Sequence, residues 1–527
     1  MRNKTTGILI AALLTLPAGA QNLNPQVQVT NDYKAELGTT GKKSVAMEIP
    51  DSLTLFRTSV SYDVFTTPYR GAYEFSPYEI SVTPKKPASD RSKLYVRAGA
   101  GYTLHPELDV VWSPVVPFPQ ASLSVFDHFS GYSGKYRSLD GRAYSGYDWL
   151  QNAGVSGYWF GRSFTLGCGF DYNGIYNSDF DGHSSFHDVA VNGNISSDPN
   201  ARLVYAFALK VNQTFDPVVM MTGINAGGSV YPNWMLPFDL RLDFSVESDF
   251  YEKGPYGNVF VAQISPKALY EFGPASIAAG VTLSPAMDIQ WLYPDVMVTV
   301  NFLDDAMQAY ALVKGGQYAR SYTDLKLADH WFNSDYTAAM KSTLERLNAG
   351  VGVRGCTLKN LQYDLSGGWA SYSDAPLQSL KADAANPGLL KSGITYADYN
   401  LWYAALDAVW KSHRLDAGLK LRFSHTDTAP NDNYLDLPLL SGAADVTYNW
   451  NSRIYAGIWC EARTSCAAQT YPVPGFVNLG LKGEFRFNSM LGAWTKVGNI
   501  LNRRIAWSPL HVEDGVYFTA GISYNMK

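Results

Sequence analysis

Period-two alternation in segments of about ten residues, the length a tilted strand needs to cross a bilayer, most narrows what this chain can fold into. From Phe238 to Glu247, one face carries Phe238, Leu240, Leu242, Phe244 and Val246, and the other carries Asp239, Arg241, Asp243, Ser245 and Glu247. Successive side chains of a strand point to opposite faces, so one face suits hydrocarbon and the other suits water. The same division runs through Leu415 to Ser424, where Lys420 and Arg422 oppose Leu419, Leu421 and Phe423. It returns from Val477 to Phe487, with Lys482, Glu484 and Arg486 opposite Leu481, Phe485 and Phe487. Near the start, Arg97 opposes Leu94, Val96 and Ala98 in Leu94 to Leu104.

A soluble β-sandwich or propeller also alternates. Three features argue against one. The segments exceed the five or six residues usual in globular sheets. Aromatic residues rim their apolar faces, as in Tyr158-Trp159, Trp402-Tyr403 and Trp459, which suits interfacial girdles. Composition agrees: 14% of residues are aromatic and only 17% are charged, where globular domains carry about 25% charge. An open sheet in lipid would leave backbone groups unpaired at several kcal/mol each, so the strands must close. The expectation is an all-β fold, a transmembrane antiparallel β-barrel of roughly 16–22 strands with a short periplasmic N-terminal segment. Ser197-Asp198-Pro199-Asn200, Phe272-Gly273-Pro274 and His413-Arg414 read as its tight turns, and residues 128–150, 315–346, 374–396 and 426–442 as its loops.

Residues 1–20 read as a cleaved secretory signal: Arg2 and Lys4, an apolar stretch from Gly7 to Leu16, then Ala18-Gly19-Ala20. No cysteine follows the cleavage site to accept a lipid anchor. Beyond the signal, every apolar run is interrupted before it could form a membrane helix. Residues 21–93 read as a periplasmic leader, able to fold into the lumen, and residues 94–527 as the barrel. Four cysteines enter a compartment where disulfides persist. Cys460 and Cys466 are near enough for a bridge across a hairpin loop, or stay free; Cys168 and Cys356 read as small packing residues in strands. The net charge of −5, without a basic block, gives no sign of nucleic-acid binding.

The C-terminal runs Val497-Gly498-Asn499-Ile500-Leu501-Asn502-Arg503 and Gly515 to Tyr524 resemble the last strands of TonB-dependent receptor barrels. The runs Met307 to Gly316 and Leu347 to Gly355 strengthen the likeness to a plug-lacking branch of them, because the leader is shorter than a receptor plug. The resemblance implies that Gly521 and Tyr524 belong to a signal read by the barrel-assembly machinery. In this chain Asn525-Met526-Lys527 extend past the aromatic.

His183-Ser184-Ser185-Phe186-His187-Asp188 gathers nucleophile, base and ligand chemistry within six residues. Spacing of i, i+4 converges ligands only on a helix, and this stretch reads as a solvated loop. No catalytic residue, metal site or cofactor is expected, and the protein is not read as an enzyme. The lumen-facing candidates are Arg97, Asp239, Arg241, Asp243, Lys420, Arg422, Lys482, Glu484 and Arg486, which pair across the interior or select solutes. The function expected is a channel or transport role for small solutes. The alternative is an accessory barrel that docks lipoproteins or other outer-membrane partners without transporting. Partners expected in either case are outer-membrane lipid and lipopolysaccharide, and the assembly machinery during insertion.

Overall fold

The computed structural model describes residues 93–137, 142–179, 182–233, 238–284, 291–303, 306–333, 339–357, 360–382, 390–428, 437–466, 473–506, 512–513 and 515–526. The signal, the leader and the plug-lacking character lie outside the described residues.

Strands β1 to β8 are Leu94–Tyr102, Glu107–Trp112, Ala121–Arg137, Ala143–Phe160, Phe164–Asp179, Gly182–Ser197, Leu203–Phe215 and Met220–Pro232. Strands β9 to β13 are Asp239–Lys253, Val259–Phe272, Ala275–Leu283, Leu292–Phe302 and Met307–Ala319, and helix α1 is Tyr322–Ala328. Strands β14 to β19 are Ser342–Thr357, Leu361–Ala382, Leu390–Lys411, Leu415–Thr428, Leu440–Trp450 and Ile454–Arg463. Strands β20 to β24 are Phe476–Arg486, Leu491–Gly498, Ile505–Ala506, Val512–Glu513 and Tyr517–Met526.

Each strand from β1 to β21 pairs antiparallel with the next; β24 then pairs with β21 on one side and β1 on the other. The result is a closed barrel of 22 strands, with β22 and β23 forming a small hairpin inside the last connection. At a strand spacing near 4.8 Å and a tilt near 40°, such a barrel is about 44 Å across between backbones. That is far wider than its own side chains can fill.

Closure draws on glycine. A Cβ at Gly521 would collide with the Ala98 carbonyl, and one at Gly101 with the Phe518 carbonyl, so bare backbone lets β1 and β24 meet. Gly273, with φ of +58°, makes the tight turn between β10 and β11. Both ends of the ring, Leu94 and Met526, lie beside one another at the end with the short turns, such as 161–163, 273–274 and 412–414. The opposite end carries the long connections 320–341, 429–439, 464–475 and 499–516.

The two strand faces divide as alternation demands. Outside, Leu240, Leu242, Val351, Trp402, Leu481 and Ile522 are exposed, a belt that water would not tolerate at this extent and lipid would. Opposite them stand charged and amide side chains. Among the described residues no helix is long and apolar enough to cross a membrane.

Several boundaries differ from those expected. Residues 128–150 and 374–396 are largely strand, because β3, β4, β15 and β16 run on beyond the length a bilayer needs. There both faces meet water or protein, so the apolar alternation that marks a strand fades while backbone pairing continues. The His183–Asp188 run is likewise strand β6, not loop. His183 and His187 share the outer face and bond Tyr147 (3.2 Å) and Tyr172 (2.8 Å), while Asp188 is buried on the inner face. None of the four cysteines is in a disulfide. Cys460 is held in the β18–β19–β20 ladder, and Cys466 bridges to Val473 within the next connection, which leaves no disulfide between them.

Candidate functional site

Alternation puts every second polar side chain of the wall inside, and in a closed ring those charges must find partners there. Around β1, β2 and β21 they form a linked set. Arg97 Nη1 lies 3.4 Å from Asp109 and 3.5 Å from Glu107, and Lys496 Nζ lies 2.7 Å from Glu107. His128 closes on the other oxygen of Asp109. The Arg97 guanidinium stacks 3.8 Å over Trp494, whose ring occupies the space left by Gly99.

A second set spans β9 to β12. Arg241 Nε is 2.6 Å from Asp243, and Lys267 bridges Asp243 (3.0 Å) and Asp295 (2.7 Å). Further round, Arg422 pairs with Asp407 at 2.6 Å, Lys482 with Asp445 at 3.4 Å, and Arg486 with Glu484 at 3.0 Å. Of the nine candidates read from alternation, seven therefore stand in ion pairs. Asp239 and Lys420 take none among the described residues, and Lys420 is exposed. Sequence reading passed over the partners Glu107, Asp109, Lys267, Asp295, Asp407 and Asp445. Each sits on the polar side of a strand, but its pairing is set by register.

The long-loop end of the lumen is roofed. The connection between β13 and β14 turns inward, and α1 starts there through a capping box in which Ser321 and Asp324 satisfy each other's backbone N–H groups. Tyr322, Leu325 and Phe332 are buried against Ile175 and Phe186 of β5 and β6, Met221 of β8, and Leu377, Ile394 and Leu401 of β15 and β16. Thr323 and Thr214 of β7 hydrogen-bond at 2.5 Å, and Ser392 Oγ of β16 donates to Asp329 at 2.7 Å. The segment ends on the far wall. His330 Nδ1 meets Asp148 of β4 at 2.8 Å, and Asn177 of β5 donates to the His330 carbonyl at 2.7 Å. In strand order β4 stands nine places from β13 around the ring of 22. The segment 320–333 is thus a strap across the mouth.

Two hairpins complete the roof. β15 and β16 slip register at Ser373-Asp374 and Asp398, in line with slips at Arg346 in β14 and Gly315 in β13. Above this row of bulges Ala375, Leu377, Gln378, Ser379 and Leu380 are all buried, so the hairpin is covered on both faces. Leu380 packs with Cys466, Val473, Ala506 and Val512, joining it to the connections 464–475 and 499–516. The latter is stapled by Asn499, buried at φ of +50°, whose side chain donates to Arg503 and Gly515 carbonyls at 2.7 and 2.9 Å. Here the Asn of the C-terminal run has a structural duty. Glu513 of β23 keeps some surface open but stands deep in the roof. Burial, with Asp148 and Glu461 nearby, pushes its carboxyl up to about 8.

Among the described residues no group of histidine, cysteine or carboxylate side chains is placed to hold a metal ion. Among the described residues the lumen face is polar and largely neutralised by ion pairs, beneath a roof of inward-turned connections.

No family model and no curated protein sequence matches the chain. Solved structures do match its fold. The copper transporter OprC superposes with a TM-score of 0.56 at 11% identity, covering 83% of this chain and 80% of that one. The FrpB iron transporter from Neisseria meningitidis gives 0.60 at 10% identity, covering 83% and 82%. The ferric-catecholate import receptor Fiu from K12 E. coli gives 0.59 at 8% identity, also covering 83% and 82%. The barrel therefore has the architecture of TonB-dependent receptor barrels. At these identities no residue role carries across.

Proposed function

We propose that this chain is an outer-membrane transport barrel, a conduit for small polar solutes whose outer end is closed by the strap and the β15–β16 hairpin. The long connections of such barrels face outward and the short turns face the periplasm, so the roof lies on the cell surface. Lys93 donates to Met526 at 2.7 Å, so the leader joins the barrel at the rim with the short turns, on the periplasmic side in this reading. Gly521 and Tyr524 lie on the last strand, where the assembly machinery reads it during insertion. The neighbours in fold are transporters or import receptors by name, which supports passage over a purely structural role.

The observation that carries this reading is the strap itself. The strap packs Tyr322, Leu325 and Phe332 into an apolar cluster with β5, β6, β8, β15 and β16, and its far end is held at the wall by the His330–Asp148 and Asn177–His330 contacts. The test is conductance in planar bilayers, comparing the full chain with one in which residues 322–332 are replaced by a short Gly-Ser linker. Small or no current from the first and large steps from the second are expected. A folded strapless barrel that passes no ions would rule the conduit out.

A further inference from the structure

The lumen wall is not lined alike all round. Ion-paired sets occupy β1, β2 and β21, then β9 to β12, then β16 to β20. From β4 to β8, among the described residues, no ion pair joins one strand to another, and Asp148 is paired to His330 of the strap. On the outside of this sector Leu166, Phe170, Val191, Leu209 and Val211 are exposed, so the alternate positions point inward. Many of those are amides: Asn152 of β4, Asn173 of β5, Asn192 and Asn194 of β6, Asn212 of β7 and Asn225 of β8. At the top, Asp188 is buried and accepts from Asn212 at 2.8 Å and from Thr214 at 2.9 Å. Below it, the opposite charges of Asp171 and Lys210 leave the sector without net charge.

Four of these polar side chains lie against the wall because each faces a glycine. Asp171 stands opposite Gly154, Asn194 opposite Gly167, Asn192 opposite Gly169 and Asn212 opposite Gly223. A Cβ on any of these glycines would come within 2.3–2.7 Å of the oxygen of the side chain opposite, so each amide or carboxylate fills the space that a neighbour's side chain would take. Two rings do the same at the β3–β4 margin, Phe126 over Gly154 and Tyr158 over Gly167. Asn152 donates to Asn173, and Asn192 to Asp171. Asn194 and Asn225 are exposed and make no hydrogen bond through their side chains among the described residues. The result is a low floor about 19 Å across five strands and about 20 Å along them, with amide donors and acceptors left unspent.

A hydroxyl group donates and accepts at once, and a primary amide offers two donors and an acceptor oxygen in one plane. Neighbouring hydroxyls on a ring can therefore exchange water for amide partners, while the C–H face of the ring covers Phe126 or Tyr158. An ion moving onto the same floor gives up hydration and meets no net opposite charge in return. We propose that the lumen face of β4 to β8 is a binding strip for neutral polyhydroxylated solutes of the oligosaccharide class, reaching up to the foot of the strap at Thr214 and Thr323. The strip rests on the transport reading, to which it adds a class of solute.

The test titrates the full chain, in a detergent without a sugar head group, with maltohexaose, xylohexaose and chitohexaose in a calorimeter. At least one hexaose is expected to bind, and hexa-aspartate is not. In the double variant Asn194→Leu, Asn225→Leu, which breaks no hydrogen bond of the wall, affinity should fall at least tenfold while the barrel keeps its native electrophoretic migration. The pair Asn194→Gln, Asn225→Gln retains the amides and should retain binding. No binding of any hexaose, or equal affinity in the leucine variant, would overturn the strip. The strapless barrel in planar bilayers separates this result from the transport reading: ion steps without hexaose binding to the full chain would remove the strip and leave the conduit, and binding with no ion steps would do the reverse.

Discussion

His330 and Asp148, 182 positions apart in sequence, meet at 2.8 Å and tie the strap to the wall opposite its origin. His330 has little other purchase there beyond its carbonyl, which accepts from Asn177. A hydrogen bond of this kind, partly charged and partly screened, contributes about 1–2 kcal/mol. His330→Ala should then raise the fraction of open channels about tenfold, since about 1.4 kcal/mol is a factor of ten. Barrel unfolding should be almost unaffected, because no ladder bond is lost. Asp148→Asn keeps the shape and weakens the charge, and its effect should fall between wild type and His330→Ala. Single-channel recordings give both values, and equal open fractions in all three proteins would remove the latch.

Closure should also depend on pH through Glu513. Its carboxyl titrates near 8 in the closed roof, against 4.5 when free. Between those values the closed form binds a proton that the open form has released, so stability falls as pH rises. Closure is therefore strongest below about pH 4.5 and weakens progressively up to about pH 8. Open fraction should increase across that window in the wild type and stay flatter in Glu513→Gln, which mimics the protonated form. An identical slope in the two proteins would place the pH response elsewhere.

The seam between first and last strands depends on Gly521. Its missing Cβ lets the Ala98 carbonyl approach, and Gly521→Val must push β24 away from β1. Overpacking of this sort costs about 3 kcal/mol, concentrated where the ring closes. The expected result is a barrel that loses its fast-migrating, heat-modifiable band in detergent electrophoresis, whereas Tyr524→Phe, which keeps the ring and drops only the hydroxyl, retains it. Normal migration of Gly521→Val would show that the seam can relax.

The transmembrane part of the wall was legible because lipid on one side and water on the other impose alternation. Asp239 to Glu247 and Leu415 to Ser424 lie in strands β9 and β17 in that phase. The roof was not legible for the converse reason. Ala375 to Leu380 are buried on both faces, and Tyr132 to Arg137 extend past the bilayer, so neither stretch carries a period-two signal strong enough to set it apart from a loop. The capping box at Ser321 and Asp324 is a local signal within a segment read as a loop, but nothing near it says that the chain past the helix reaches β4 at His330. Likewise, the charged positions could be read one strand at a time. Which of them pair depends on register between strands, as with Lys267 bridging Asp243 and Asp295.

Lys420 separates pairing from selection. Arg422, two residues along the same face, is held by Asp407, and such a pair presents little net field to a passing ion. Lys420 is exposed and unpaired among the described residues, so its charge acts on the lumen directly. In a conduit about 44 Å wide, one charge is felt across the lumen only where screening is weak. The Debye length is about 30 Å at 0.01 M salt and about 3 Å at 1 M. In the strapless barrel, Lys420→Glu should shift the reversal potential toward cation preference in dilute salt gradients, and the shift should vanish near 1 M. Arg422→Gln should shift it in the same direction, since it frees Asp407, and is distinguished by lower stability in urea. A reversal potential that ignores Lys420→Glu in dilute salt would mean that ions do not pass near β17.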